Sequence, residues 1–285
     1  MTMMLQGPDS TVRIEVLGEE LRRLRDACGL TLSQVVSRIG ISESHLSRME
    51  LGRRPVSPED LSALLVIYGV TGEERHEPLA LAKKSTQPGL WQRKGSFEAR
   101  FATLKLLESR ATRLVNFEPL VIPGLLQTVP YAQATFREIG LFEDQAAIEE
   151  RVVGRIHRQA ALRKFNAPQL IAIVAESALR HLLGGREVMR DQLRYLVEVA
   201  ERHNVTLRVV PTAVGGHPGL NGPFLRLRFN DRPSVVFLPN RTCSLFLEEP
   251  SDVTIYDEMI VELLRVAMSE ENSVRLVAEM AANLE

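Results

Sequence analysis

The sequence has 285 residues, which is enough for two domains of ordinary size. Its 45% hydrophobic and 25% charged residues are typical of a globular protein and exclude a wholly disordered chain. The formal charge of -1 excludes a uniformly basic surface, but a local basic patch is still compatible with it.

The first third of the chain predicts a compact group of helices. Apolar residues at helical spacing place a first helix within residues 16–28, and Gly29 ends it. Thr31 is the predicted N-cap of a second helix that stops at Gly40. These two glycines each allow the left-handed backbone that commonly follows a helix.

Three further helices complete this part of the sequence. The third begins at its N-cap Ser42 and closes at Gly52, and the fourth begins at Ser57 followed by Pro58. A fifth ends near residue 84. Two short helices around a tight glycine turn, with three supporting helices, are the layout of a helix-turn-helix. We therefore expect an all-α five-helix domain over residues 12–84.

The stretch from Leu24 to Val56 resembles the lambda-repressor-like, Xre-type family of bacterial DNA-binding domains. The pieces at the family's spacing are Gly29-Leu30-Thr31, Gly40-Ile41-Ser42 and Leu46-Ser47-Arg48-Met49-Glu50. The resemblance implies that the helix from Ser42 to Leu51 enters the major groove of a double-stranded DNA operator. Leu32 departs from the family pattern, which usually carries glutamine there, so one expected DNA contact is missing.

The same resemblance assigns roles to individual residues. Side chains near the start of the groove helix would read base edges, and these are Glu43, Ser44, His45, Ser47 and Arg48. Phosphate contacts would come from Thr31, Gln34, Ser42, Arg53 and Arg54. Arg25 and Glu50 would form a structural ion pair between the first and third helices. Simple solvent exposure is the alternative for His45 and for the two arginines after the helix.

The charge of this region favours a dimer. Between residues 13 and 56 there are eight arginines against six acidic residues, a small positive excess. A monomer with so few extra charges should bind DNA weakly at physiological salt. Helix-turn-helix proteins commonly dimerise on two half-sites, so we expect a homodimer.

The remainder of the chain predicts a second domain after a connector. Residues 85–96 contain Gln87-Pro88-Gly89 and are the predicted linker. Residues 97–285 combine alternating or β-branched segments with amphipathic helices, which indicates an α+β domain with a helix-covered sheet. The predicted strands are 170–174, 205–210, 224–229, 234–238 and 243–247, and 116–127 is expected to be extended with a turn.

Two motifs in this second domain resemble an uncharacterised domain that follows Xre-type modules in many actinobacterial, antitoxin-like regulators. The first is Pro123-Gly124-Leu125-Leu126-Gln127-Thr128, with Tyr131-Ala132 behind it. The second is Gly215-Gly216-His217-Pro218-Gly219, with Gly222-Pro223-Phe224. The resemblance implies a regulator whose second domain dimerises and receives a signal. It also implies a small acidic protein encoded by an adjacent gene as a further partner.

Motifs for catalysis and cofactor binding are missing from the sequence. It contains no GxxxxGK[ST], GxGxxG, GxSxG or HExxH pattern, so we predict no enzyme activity, no cofactor and no metal. No apolar run approaches the roughly 20 residues of a membrane span. Two distant cysteines fit a reducing, cytoplasmic location.

Two alternatives to a signal-receiving regulator stay open. The loop around His217 lies between predicted strands, a usual place for functional residues, so the second domain can be a ligand-processing enzyme. A pocket lined by His217 and a clustered carboxylate, with strongly perturbed ionisation, would favour this alternative, whereas an open sheet with only apolar packing beneath the loop would count against it. The protein can also act mainly as a protein-binding antitoxin.

Overall fold

A computed structural model describes residues 12–83, 90–93, 97–140, 144–241 and 244–284. The chain divides into two compact units, residues 1–89 and residues 90–285. No helix among the described residues is long and apolar enough to cross a membrane.

The first unit is the predicted five-helix domain. Its helices are α1 (Val12–Ala27), α2 (Leu32–Ile39), α3 (Glu43–Glu50), α4 (Pro58–Ile67) and α5 (His76–Lys83). Each of the predicted N-caps Thr31, Ser42 and Ser57 accepts a hydrogen bond from a backbone amide in the first turn of its helix. Leu21, Val35 and further apolar side chains from α1 to α4 form one buried core.

A close approach of α1 to the end of α3 fixes the shape of this unit. Gly18 of α1 is buried, and a β-carbon added there would lie 2.4 Å from the carbonyl oxygen of Met49 and 2.9 Å from the amide nitrogen of Gly52. Only a residue without a side chain fits this contact, because both neighbours are backbone atoms.

The second unit contains a seven-stranded mixed sheet with the strand order β1-β7-β6-β5-β2-β3-β4. Its strands are β1 (Leu90–Arg93), β2 (Arg113–Glu118), β3 (Gln169–Ala175), β4 (Val205–Val210), β5 (Phe224–Arg228), β6 (Val235–Pro239) and β7 (Ser244–Leu247). Strands β2, β3 and β4 are parallel, and every other pairing is antiparallel. The predicted α+β class and helix-covered sheet are confirmed.

Helices cover this sheet, as long amphipathic segments predict. They are α6 (Phe97–Arg110), α7 (Val129–Ala134), α8 (Gln145–Gln159), α9 (Glu176–Arg180), α10 (Gly185–Ala200), α11 (Pro250–Val266) and α12 (Glu270–Ala282). Phe117 and Phe224 on the sheet share a buried core with Val253, Ile260 and Leu263 of α11.

The predicted linker 85–96 is wrong over part of its length. Residues 90–93 form β1, an edge strand that pairs with β7 from Leu90 opposite Leu247 to Arg93 opposite Ser244. An edge strand of four residues is too short for an alternating pattern, so its pairing with β7, which is distant in the sequence, decides its structure. The other linker positions, 85–89 and 94–96, lie outside the described residues.

Candidate DNA interface

Helices α2 and α3 are held at a defined turn by their caps. The hydroxyl of Thr31 accepts from the Gln34 backbone amide, and Gln34 Oε1 accepts from the Thr31 backbone amide at 2.9 Å, which closes a capping box. Gly40 ends α2 in the left-handed conformation, with φ of 73°. Ser42 then begins α3 by accepting from the His45 amide at 3.1 Å. This is the helix-turn-helix geometry that the sequence predicts.

Helix α3 has one buried and one exposed face. Leu46 and Met49 are buried in the core of the unit, whereas Glu43, Ser44 and Arg48 are exposed. Ser44, Ser47 and Arg48 are spaced three and four residues apart and therefore share a row along the helix. Arg48 Nε donates to the Ser44 carbonyl oxygen at 3.1 Å, so the side chain lies along this row.

The Arg25 and Glu50 side chains form the ion pair expected between α1 and α3. Arg25 Nε donates to Glu50 Oε1 at 2.7 Å, and Nη2 donates to Oε2 at 3.0 Å. Arg25 Nη1 also donates to the Leu30 carbonyl oxygen at 2.8 Å. The two side chains are only 12% and 5% exposed, so the pair anchors the end of α3 from inside the unit.

His45 differs from the expectation of an exposed groove residue. Its side chain is 23% exposed, and Nε2 lies 3.9 Å from Asp60 Oδ2 of α4. Nε2 is buried and has no hydrogen-bond partner. The reason is helical geometry: His45 precedes the buried Met49 by one turn, so its ring faces the packed side of α3. His45 therefore sits between two helices, away from the row of Ser44 and Arg48.

The predicted phosphate contacts are all accessible. Thr31 and Gln34 are exposed at the start of α2, Ser42 at the start of α3, and Arg53 and Arg54 in the loop after α3. The structure thus brings the residues predicted to contact DNA together at the start of α2, along α3 and in the loop after α3. His45 is the exception, because its ring lies beside α4.

The His217 loop of the second unit borders a separate cavity of about 340 Å³. The cavity lies where the parallel strands β2, β3 and β4 end, the edge at which open α/β sheets commonly bind ligands. His217 Nδ1 is buried without a hydrogen-bond partner, and the ring meets Phe117 edge-on at 6.0 Å between centroids.

A carboxylate lines the same cavity, but both of its oxygens are already engaged. Glu176 Oε1 pairs with Arg180, and Oε2 accepts from the Thr212 backbone amide at 2.9 Å. The Thr212 amide, followed by Arg180, lowers the pKa of Glu176 from its usual value. This pocket joins a histidine to a carboxylate, yet the carboxylate is stabilised in its ionised form.

A third group of polar residues was not anticipated from the sequence. Glu118 at the end of β2 and Arg155 in α8 line one cavity of about 140 Å³, together with Gln127. Arg151, Arg155 and Arg158 follow a helical repeat in α8, which indicates one face. Sequence periodicity alone does not reveal that this face is turned toward the sheet.

Comparisons with known proteins divide the chain in the same way. Residues 16–77 match a model described as a helix-turn-helix domain, and residues 101–279 match one described as a domain of unknown function (DUF5753). Among curated proteins, none matches the chain.

One solved structure resembles the chain at low similarity. It is that of TrmBL2, an archaeal chromatin protein described as showing a novel mode of DNA binding, at 12% identity and a TM-score of 0.30. The match covers 84% of this chain and 88% of the other, and values this low do not establish a common fold. The first unit is a helix-turn-helix domain, and because the DUF5753 match covers more than half of the sequence, the chain belongs to that family.

Proposed function

We propose that the chain is a sequence-specific transcriptional regulator of the Xre type that reads the major groove with α3. The observation that carries the proposal is the polar row of Ser44, Ser47 and Arg48 on the exposed side of α3. Its opposite side is fixed by Leu46 and Met49 in the core and by the Arg25–Glu50 pair. A rigidly held helix with a free polar row suits readout of base edges.

The residues of this surface have different tasks in the proposal. Arg48 can donate two parallel hydrogen bonds to guanine, and Ser44 and Ser47 can donate or accept at several bases. Glu43 can accept from the amino group of cytosine. The accessible residues at the helix starts and in the following loop hold phosphates, which set the position of the protein without reading sequence.

We further propose that the protein acts as a homodimer. The small positive excess of the first unit supports this, since two modules on two half-sites double the number of phosphate contacts. In this proposal the second unit supplies the dimer contact and receives a signal, either a small molecule or the small acidic protein implied by the family resemblance. The site of action is the cytoplasm, where the DNA is.

The second unit has no catalytic role in this proposal. A catalytic pair in that cavity would require a hydrogen bond between His217 and a carboxylate. His217 Nδ1 has no hydrogen-bond partner, and the oxygens of Glu176 are held by the Thr212 amide and Arg180. A main role as a protein-binding antitoxin stays the alternative, and co-purification with the product of the adjacent gene distinguishes it.

Footprinting on DNA upstream of the chain's own gene tests the proposal. We expect wild-type protection of a short two-fold site, and Arg48→Ala to weaken binding by about 1–3 kcal/mol with relaxed preference at one base position. Arg53→Ala should weaken binding equally on all sequences and reduce the salt slope by about 1. Arg22→Ala is the matched control, because Arg22 is an exposed arginine of α1. Wild-type binding that never rises above nonspecific background across a salt series contradicts the proposal.

A further inference from the structure

Arg155 is a half-buried cation that forms no ion pair with a carboxylate among the described residues. Its Nη1 donates to Gln127 Oε1 at 2.5 Å, but Nε is buried and has no hydrogen-bond partner. Nη2 donates to no acceptor in the part of the chain that the structure describes. Glu118 lines a cavity of about 140 Å³ that also borders Arg155, but it forms no ion pair with Arg155. A half-buried cation without an ion-pair partner, and with one buried donor unsatisfied, is suited to bind an anion from outside.

The next arginine on the same helix shows what that partner should be. Arg158 Nε and Nη2 donate to the two oxygens of Glu108, both at 2.7 Å, and this pair is buried. In Arg155 the same edge, Nε and Nη2, is the one without acceptors. Two parallel donors on a planar edge match the geometry of a carboxylate.

The surroundings of Arg155 define the rest of the ligand. A cavity of about 240 Å³ between α6 and α8 borders Arg155, with Phe101, Ala102 and Phe136 among its apolar walls. The guanidinium carbon of Arg155 lies 4.3 Å from the centre of the Phe136 ring. Sites for drug-sized ligands have roughly 300–1,000 Å³, so this cavity suits a smaller molecule with a flat apolar body.

We propose that the cavity between α6 and α8 binds a small organic carboxylate, with the Nε–Nη2 edge of Arg155 holding the carboxylate and Phe101 and Phe136 holding an apolar body. Glu118 lies in the other cavity that borders Arg155, the one of about 140 Å³. Burial raises its pKa to about 8, so at neutral pH it is mostly protonated and does not compete with an anion for Arg155. Lys105 and Arg151 also line the cavity, together with one acidic residue, Glu150.

This inference deepens the proposed function by giving the signal a chemical class. The signalling role rests on the proposed function, but binding of the carboxylate does not. Binding is therefore measured on the full chain without DNA, so that a failure here and a failure of DNA recognition can be told apart.

The experiment follows thermal melting and the Nε–H NMR signals of arginine during titration with benzoate, acetate, hexanoate, benzamide and inorganic phosphate. The Arg155 signal is identified as the one missing from the spectrum of Arg155→Met. We expect benzoate or hexanoate to raise the melting temperature and shift the Arg155 signal, with benzamide producing neither effect. Acetate and phosphate should bind at least tenfold more weakly, because they lack the apolar body.

Variants separate the carboxylate site from nonspecific salt effects. Arg155→Met and the charge-preserving Arg155→Lys should each weaken binding at least tenfold, and the second variant replaces the first if the first is insoluble. Arg265→Met, at an exposed arginine of α11, should bind like the wild type. The proposal is overturned if benzoate and benzamide act equally, if phosphate binds best, if Arg155→Lys binds like the wild type, or if no carboxylate in the series shifts the Arg155 signal.

Discussion

The two units use a part-buried arginine in opposite ways. In the helix-turn-helix unit the Arg25 guanidinium meets both oxygens of Glu50 and one backbone carbonyl, so its charge is neutralised where it is buried. In the second unit Arg155 meets one amide oxygen, and the nearby Glu118 does not pair with it. The paired charge of Arg25 holds two helices together, whereas the unpaired guanidinium of Arg155 stays available for the carboxylate ligand that we propose.

The largest effect on stability is expected from breaking the Arg25–Glu50 pair. Glu50→Ala removes the buried partner of Arg25 and leaves only the exposed Asp26, at 2.7 Å, so it should lower the free energy of unfolding of the first unit by about 3 kcal/mol, the lower end for breaking a buried pair. Urea denaturation followed by circular dichroism measures it. The control is Glu20→Ala, also in the first unit; the pair of Glu20 with Arg23 is 32% and 63% exposed, and such pairs contribute about 0–1 kcal/mol. Equal losses in the two variants would show that the Arg25–Glu50 pair does not anchor α3.

A second comparison applies the same substitution to a helix in each unit. Gly18→Ala places a β-carbon against backbone atoms of Met49 and Gly52, so we expect it to lower the free energy of unfolding by about 1–3 kcal/mol or more. Gly154→Ala lies within α8 and meets nothing within 4 Å, so the better helix propensity of alanine should raise stability by up to about 1 kcal/mol. Thermal melting of both variants checks the signs. A Gly18→Ala variant as stable as the wild type would contradict the close packing of α1 on α3.

Glu118, which is not paired with Arg155, should make the stability of the second unit depend on pH. The pKa of Glu118 is raised to about 8 in the folded state, so ionisation disfavours folding. The wild type should therefore lose stability as the pH rises from about 4.5 to about 8, while Glu118→Gln, which cannot ionise, should not. Arg155, whose pKa burial and Arg158 lower to about 9, stays charged over this range and limits the loss. We expect the variant to be about 1–3 kcal/mol more stable than the wild type at pH 8.5 and equal to it near pH 5.

Urea denaturation at pH 5, 7 and 8.5 measures this difference. Glu149→Gln provides the control, because Glu149 is an exposed glutamate of α8 and should show the wild-type pH profile. A Glu118→Gln profile that parallels the wild type at all three pH values would mean that Glu118 is solvated like any surface acid.

Local signals made the first unit predictable from its sequence. Thr31, Ser42 and Ser57 cap their helices through hydrogen bonds that span three residues, and Gly40 ends a helix through its own backbone. Such contacts depend only on neighbours in the sequence. The family motif added the Arg25–Glu50 pair, which spans 25 residues and has no local signal.

What escaped prediction depends on distant contacts. β1 is a strand because β7 lies beside it, and the ring of His45, on the same side of α3 as Met49, is covered because α4 packs there with Asp60. The parallel pairing of β2 with β3 joins segments separated by two helices. The environment of Arg155 is set jointly by β2, α6 and α8, so the arginine spacing in α8 indicated a face but not its neighbours.

The reciprocal hydrogen bonds of Thr31 and Gln34 have a consequence for selectivity. Since the amide oxygen of Gln34 already accepts the Thr31 backbone proton, only its NH₂ group is left to point outward. At the start of α2, the side chain of Gln34 can therefore donate hydrogen bonds outward, while its oxygen is already engaged. Such a donor can bind the phosphate oxygens of DNA, which are present at every nucleotide, but it cannot distinguish one base pair from another.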